Sequence, residues 1–203
     1  MRLLVALFLS ALLCACAGAP PTPPSAANPA TEAPPARSAA VQWRYIDSKS
    51  YEALNAGLGN SHRFESSVGW VDVYVYDMKR SWQPGVGDPQ FDDHFRSTIA
   101  EVQSAVAQGV YASARMGPTR DVRIEGLTFR TVSFRLMHAR GGKAYDSFTY
   151  LAVRNGKLLK YRMSFNTPAP APADAEAIAR EFIERNVRTG PETPAGTRQL
   201  RST

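Results

Sequence analysis

Three histidines, His62, His94 and His138, and the acids near them hold most of the acid–base and metal-binding chemistry open to this 203-residue chain. Only "DDHF" has local ligand density, with Asp92 and Asp93 beside His94. A metal centre wants ligands at helical or hairpin spacing with carboxylates nearby. Acids in a first helical turn are already stabilised by the helix dipole, so these have an ordinary reason to be there and no metal site is assigned. "GNSHRF" sets Ser61 next to His62, but neighbours in an extended strand point to opposite faces and cannot share a proton. Asp72 and Asp77 likewise straddle a strand, the wrong geometry for a paired acid and base. No GxSxG elbow, HExxH or phosphate-binding glycine loop occurs. No catalytic residue and no cofactor is therefore assigned. A small hydrolase-like enzyme with a site assembled only by the fold is the rival reading, with a structural component of an envelope complex as a third. Convergence of His62, His94 and Asp72 in one cleft would favour the enzyme.

The two cysteines, Cys14 and Cys16, offer a different chemistry. They follow "MRLLVALFLSALL", one positive charge and then an apolar run of about ten residues, the plan of a secretory signal. A membrane-spanning helix needs roughly 20 apolar residues, and "APPTPPSAANP" arrives too early for one. The stretch "LCAC", Leu13 to Cys16, resembles the bacterial lipobox: an apolar residue, a tolerant position, Gly or Ala, then the lipidated Cys. Leu13 and Ala15 match, while Cys14 stands where Ala, Ser or Thr is commoner. Reading Cys14 as the anchor would put Leu13 directly before the cut, where these signals carry a small residue, so Cys16 is the assigned lipidation site.

The resemblance implies cleavage before Cys16, a diacylglycerol thioether on its sulfur and an amino terminus acylated with palmitate-type chains. At about 0.8 kcal/mol per buried methylene, several chains make dissociation from a membrane negligible. Ala17 is not the Asp that often retains such proteins in the inner membrane, so the expected location is the periplasmic face of the outer membrane. An ordinary signal cut around Ala15-Cys16-Ala17 is the alternative. With Cys16 consumed by lipid, the mature chain would have no disulfide, no catalytic thiolate and no cysteine ligand. The expected divisions are a lipoprotein signal over 1–15, the anchor and a tether over 16–40, a globular domain over 41–188 and a disordered tail over 189–203. Residues 17–40 hold seven prolines and no large apolar side chain. Such a segment cannot offset its own ordering entropy; as an extended polyproline tether it reaches on the order of 70 Å.

The domain must hold itself together by an ordinary hydrophobic core. "GWVDVYVYDM" alternates, with Val71, Val73 and Val75 on one side and Trp70, Asp72, Tyr74 and Tyr76 on the other, a strand by period and composition. "SHRFES" is its hairpin partner through Ser67-Val68-Gly69. "DPQFDDHFRSTIAEVQSAVAQG" is a punctuated helix with Asp88 as N-cap, Pro89 first, Gly109 at the end and a stripe of Phe91, Phe95, Ile99, Val102 and Val106. Three strand patterns follow, "VRIEGLTFRTVSFRLMHA", "AYDSFTYLAVR" and "KLLKYRMSF", the last two joined by the hairpin signal Asn155-Gly156. "DAEAIAREFIERN" closes the chain as an amphipathic helix with an i,i+4 pair at Glu181 and Arg185.

Antiparallel hairpins without βαβ units predict an α+β fold, an antiparallel β-sheet with helices packed on it. "VDVYVYD" and "YLAVRNGKLLKYRMSF" resemble the PsbP-like layered sandwich as found in small uncharacterised bacterial lipoproteins. That resemblance spans about residues 43 to 187 and brings no catalytic residues with it, so it implies a fold and no activity. The opposite side of the valine strand then gathers Trp70, Tyr74 and Tyr76 as the candidate binding face. Either a helix covers them, the one ending near Asn186 being the expected cover, or they stay partly open as an aromatic platform.

Loss of Arg2 leaves 23 Lys and Arg against 18 Asp and Glu, with many basics in the meander. Export to the periplasm argues against nucleic acid. The expected partners are the membrane, through the anchor, and an envelope protein or an anionic envelope component. The expected function is a non-enzymatic binding or accessory domain. If Cys16 is lipidated, Cys16→Ser should leave an uncleaved precursor or a soluble periplasmic form, while Cys14→Ser should stay membrane-bound. Fractionation with acyl labelling checks this, and equal retention of both variants would sink the assignment.

Overall fold

A computed structural model describes residues 40–189. The expected signal, Cys16 and nearly all of the expected tether and tail lie outside the described residues. Ten elements follow in order: β1 Arg44–Ser50, β2 Asn60–Glu65, β3 Gly69–Tyr76, α1 Pro89–Ala107, β4 Tyr111–Met116, β5 Arg120–Ile124, β6 Leu127–His138, β7 Ala144–Arg154, β8 Lys157–Phe165 and α2 Pro172–Thr189. One antiparallel sheet runs β1-β2-β3-β8-β7-β6-β4, and β5 pairs with β6 beyond β4. Helix α1 lies on one face and α2 on the other. The chain therefore has the expected α+β architecture.

Register explains the two cores. Val71 lies opposite Met163 and Val73 opposite Tyr161 across β3 and β8, and Tyr161 lies opposite Tyr150 across β7. All five are buried, under Ala175, Ala179, Phe182 and Ile183 of α2. On the reverse face Tyr76 opposes Leu158, and Leu158 opposes Val153. Those three, with Leu151, pack against Phe91, Phe95 and Val102 of α1. The residues 150–153 and 158–159 form unbroken buried runs, because helices cover both sides there. Tyr161 is fully buried, and its hydroxyl donates to Oδ1 of Asn186 at 2.9 Å, joining the sheet to α2 without an orphaned polar atom.

Local chemistry sets the boundaries. The Asp88 carboxylate accepts from the Gln90 amide at 2.7 Å and Pro89 opens α1. Asn155 and Gly156 both have positive φ, 52° and 72°, as a two-residue hairpin between β7 and β8 requires. Three expectations need correction. "VRIEGLTFRTV" is not one strand: Glu125 (φ 48°) and Gly126 (φ 77°) fold it into the β5–β6 hairpin. Strands β1 and β4 are additional; both are mostly exposed edges held by backbone pairing to β2 and β6, so neither shows much core periodicity. The helix ending near Asn186 covers the valine side of β3, and it is α1 that reaches the aromatic side.

Because Phe91 and Phe182 each anchor one helix at 0% and 6% exposure, Phe91→Ala and Phe182→Ala should each cost about 3 to 5 kcal/mol in urea melts. Asp88→Ala, which removes only the cap, should cost about 1 kcal/mol.

Candidate functional site

Trp70, Tyr74 and Tyr76 share a face, but their surroundings differ. Tyr76 is 7% exposed beneath α1, with its hydroxyl hydrogen-bonded to Nε2 of His94 at 2.7 Å. It is a core residue, and the binding face loses it. Tyr74 is half-buried at the flank of α1. Trp70 is half-buried on the far, uncovered part, edge-on to Tyr145 at 5.2 Å and beneath the Arg63 guanidinium at 5.2 Å.

Beside α1 the sheet face opens into a cleft of about 410 Å³, a size suited to a small molecule. Its walls come from Tyr51 after β1, Tyr74 on β3, Glu101 on α1, Tyr111 on β4, and Lys160 and Arg162 on β8. Alternation along β8 places Lys160, Arg162 and Ser164 on this face, while Leu159, Tyr161 and Met163 enter the α2 core. On β7, Thr149 lies directly opposite Arg162 and Ser147 opposite Ser164, with the two serine hydroxyls 3.0 Å apart.

The charges are arranged in cross-strand pairs. Nη1 of Arg63 donates to both oxygens of Asp72, at 3.0 and 2.9 Å. Asp72 also lies opposite Arg162 in register, yet the carboxylate is held by Arg63, and Arg162 donates instead to the Tyr111 hydroxyl at 2.7 Å. The Lys160 ammonium sits 4.8 Å from the Tyr74 ring centre and 5.7 Å from that of Tyr76, with Glu101 at 3.8 Å. Burial pulls the Lys160 ammonium below its ordinary range; Glu101 works against that shift and Arg162 adds to it. Burial, reinforced by Asp72, pushes the Tyr74 phenol up to about 12.

None of the three histidines lines this cleft. His62 faces the α2 side opposite Val73, whereas Ser61 lies on the cleft's face opposite Tyr74 and is bonded to the Tyr51 hydroxyl at 3.1 Å. His94 is on α1 against Tyr76 and Trp82. His62, His94 and Asp72 therefore do not converge. In "DDHF", Asp92 pairs with Arg130, Asp93 with Arg96, and His94 with Tyr76, so each side chain already has a partner. His138 is at the end of β6, edge-on to Tyr111.

A larger cleft, about 700 Å³, opens toward the start of α2 and is lined by Arg115, Arg120 and Arg135. There Arg120 is bound to Glu176 at 2.7 Å and Arg135 to Asp146 at 2.6 Å, and both arginines are half-exposed. Solvent and close carboxylates already satisfy those two cations. The smaller cleft differs in holding a lysine whose side chain is only 16% exposed. Sequence reasoning counts Lys160 and Arg162 only among the basics of the meander that could meet an anionic envelope component, not as residues of one site. Their signal was present in "KLLKYRMSF", where cations alternate with apolar residues in a strand otherwise fit for burial.

No family description and no curated protein sequence matches this chain. Among solved structures it is similar to the solution structure of cyanobacterial PsbP (CyanoP) from Synechocystis sp. PCC 6803, at 13% identity and a TM-score of 0.42, covering 79% of this chain and 96% of that one. It is also similar to PA94, a Pseudomonas aeruginosa protein of unknown function, at 12% identity and a TM-score of 0.32, over 76% of this chain and 83% of that one.

The His94 contact has a measurable consequence. Burial, with help from the nearby Lys160 and Arg80 charges, lowers the His94 pKa from 6.5 to about 4. Between those values the unfolded chain binds a proton that the folded chain refuses, so this group's effect is to reduce stability as pH falls from 6.5 through 4. Melting temperatures of the protein and of His94→Gln, compared across that window, should converge toward the acid end. A constant difference would disprove the assignment.

Proposed function

We propose that this chain is a lipid-anchored periplasmic binding domain, held at the outer membrane through Cys16, that uses the half-open α1 face to engage an envelope component without chemical turnover. One observation carries the reading: the sheet face beside α1 is an aromatic-lined cleft whose two cations, Lys160 and Arg162, stand on a central strand rather than on a loop. Side chains fixed by strands hydrogen-bonded on both edges need little further ordering on binding. Across strands Arg63 is tied to Asp72 and Arg162 to the Tyr111 phenol, an arrangement suited to recognition. Trp70 and Tyr74, half-buried at the uncovered end, supply broad contact area with polar tips.

A photo-crosslinking residue placed at Lys49, on the rim of this face, should capture a discrete envelope component in cells producing the full chain. The same probe at Glu181, on the outer side of α2, should not. Tyr74→Ala should cost about 1 to 2 kcal/mol in a urea melt and reduce capture at Lys49 several-fold. Tyr76→Ala, acting on the core, should cost about 3 to 5 kcal/mol. Equal capture from both probe positions, or capture untouched by Tyr74→Ala, would overturn the reading.

A further inference from the structure

Lys160 presents an electrostatic deficit that the fold leaves open. Its side chain is 16% exposed, on a central strand between Tyr74 and Tyr76, and cations this buried normally have a close counter-charge. Its ion-pair partner among the described residues is Glu101, 3.8 Å away, on a side chain that is itself 65% exposed. That is a long, solvent-weakened contact.

Arg162 adds to the imbalance. It stands two residues along β8 on the same face and contacts a neutral hydroxyl, that of Tyr111. The carboxylate best placed to neutralise it, Asp72, is committed to Arg63 through both oxygens. The cleft thus concentrates two fixed cations against one loosely placed acid.

Resting on the binding-face reading above, we infer that the Lys160–Arg162 cleft is an oxyanion site, taking a carboxylate or phosphate group carried on a small polar ring such as a sugar. The ammonium supplies a compact point charge and the guanidinium a planar donor pair, which suit one oxyanion together. Tyr74, Tyr51 and Tyr111 supply hydroxyls and ring faces around it. The lowered affinity of Lys160 for its proton is what burial without a good counter-charge produces, and a bound oxyanion would reverse it. The cleft of about 410 Å³ admits a monosaccharide-sized group but not a folded chain.

The test titrates the full chain in detergent with inorganic phosphate, glucuronate and glucose by calorimetry, at low and at physiological salt. Saturable binding of phosphate, glucuronate or both, with glucose inert, supports the site, and the pattern tells which oxyanion it prefers. Lys160→Met should weaken that binding at least tenfold. Glu101→Gln, an exposed change that leaves the core alone, should strengthen it about two- to fivefold by releasing Lys160. This opposite sign guards against a variant that merely misfolds. No anion binding, equal binding of glucose, or an unchanged affinity in Glu101→Gln would overturn the inference. If capture from Lys49 persists while the anions fail, the oxyanion assignment falls alone; if capture fails too, the binding face falls with it.

Discussion

The structure depends on how little of the sheet one helix can cover. Seven strands in line span about 29 Å at the usual interstrand spacing, while α1, at nineteen residues, is about 28 Å long and about 10 Å wide. It can seal one strip of its face and no more. The strip it seals holds Leu151, Val153, Leu158, Val132 and Tyr76, and there the central strands are apolar on both sides. Where α1 ends, β7 and β8 change character at once, to Ser147, Thr149, Arg162 and Ser164. The cleft is the boundary between covered and uncovered sheet, and its chemistry follows from that position.

A polar boundary so close to the core must keep its groups satisfied. Arg63 with Asp72, Arg162 with Tyr111, Ser147 with Ser164 and His94 with Tyr76 each close a donor–acceptor pair across elements. An unmet buried group costs about 1 to 3 kcal/mol, so these pairs define how α1, β3, β4 and β8 sit together. The valine face uses a different device. There a nearly continuous apolar layer meets α2, and the Tyr161–Asn186 hydrogen bond is a buried polar bridge from sheet to helix. The two faces of one sheet are therefore held by different balances, dispersion and burial on one side, burial plus paired polarity on the other.

Much of this was legible in the chain. Period two placed Trp70, Tyr74 and Tyr76 together, and capping chemistry placed α1 to within a residue. The meander followed from "NG" and the alternation around it. What failed to show were features without a burial signature. Strands β1 and β4 exist through backbone pairing at exposed edges, and "YASARM" has no β-branched residue to announce a strand. Glu125-Gly126 makes a tight turn that is not among the strongest hairpin dipeptides. Periodicity also says that three aromatics share a face without saying which helix lands there. That choice belongs to long-range packing, as does the Tyr111 hydroxyl reaching Arg162 across 51 residues.

Placing Lys160 and Arg162 on β8 rather than on a loop has a functional consequence. The strand is hydrogen-bonded to β3 on one side and β7 on the other, so the spacing and direction of the two cations are fixed by the same ladder that forms the core. A ligand meeting them need not order backbone, and little binding energy is spent on assembling the site. The repulsion between neighbouring cations is sustained by the fold in advance, with Glu101 and the tyrosine faces offsetting part of it. Such a site gains more from an added negative charge than a flexible surface pair would. Its counter-charge is incomplete at a lysine only 16% exposed, where an added negative charge would be less screened by water than at the surface.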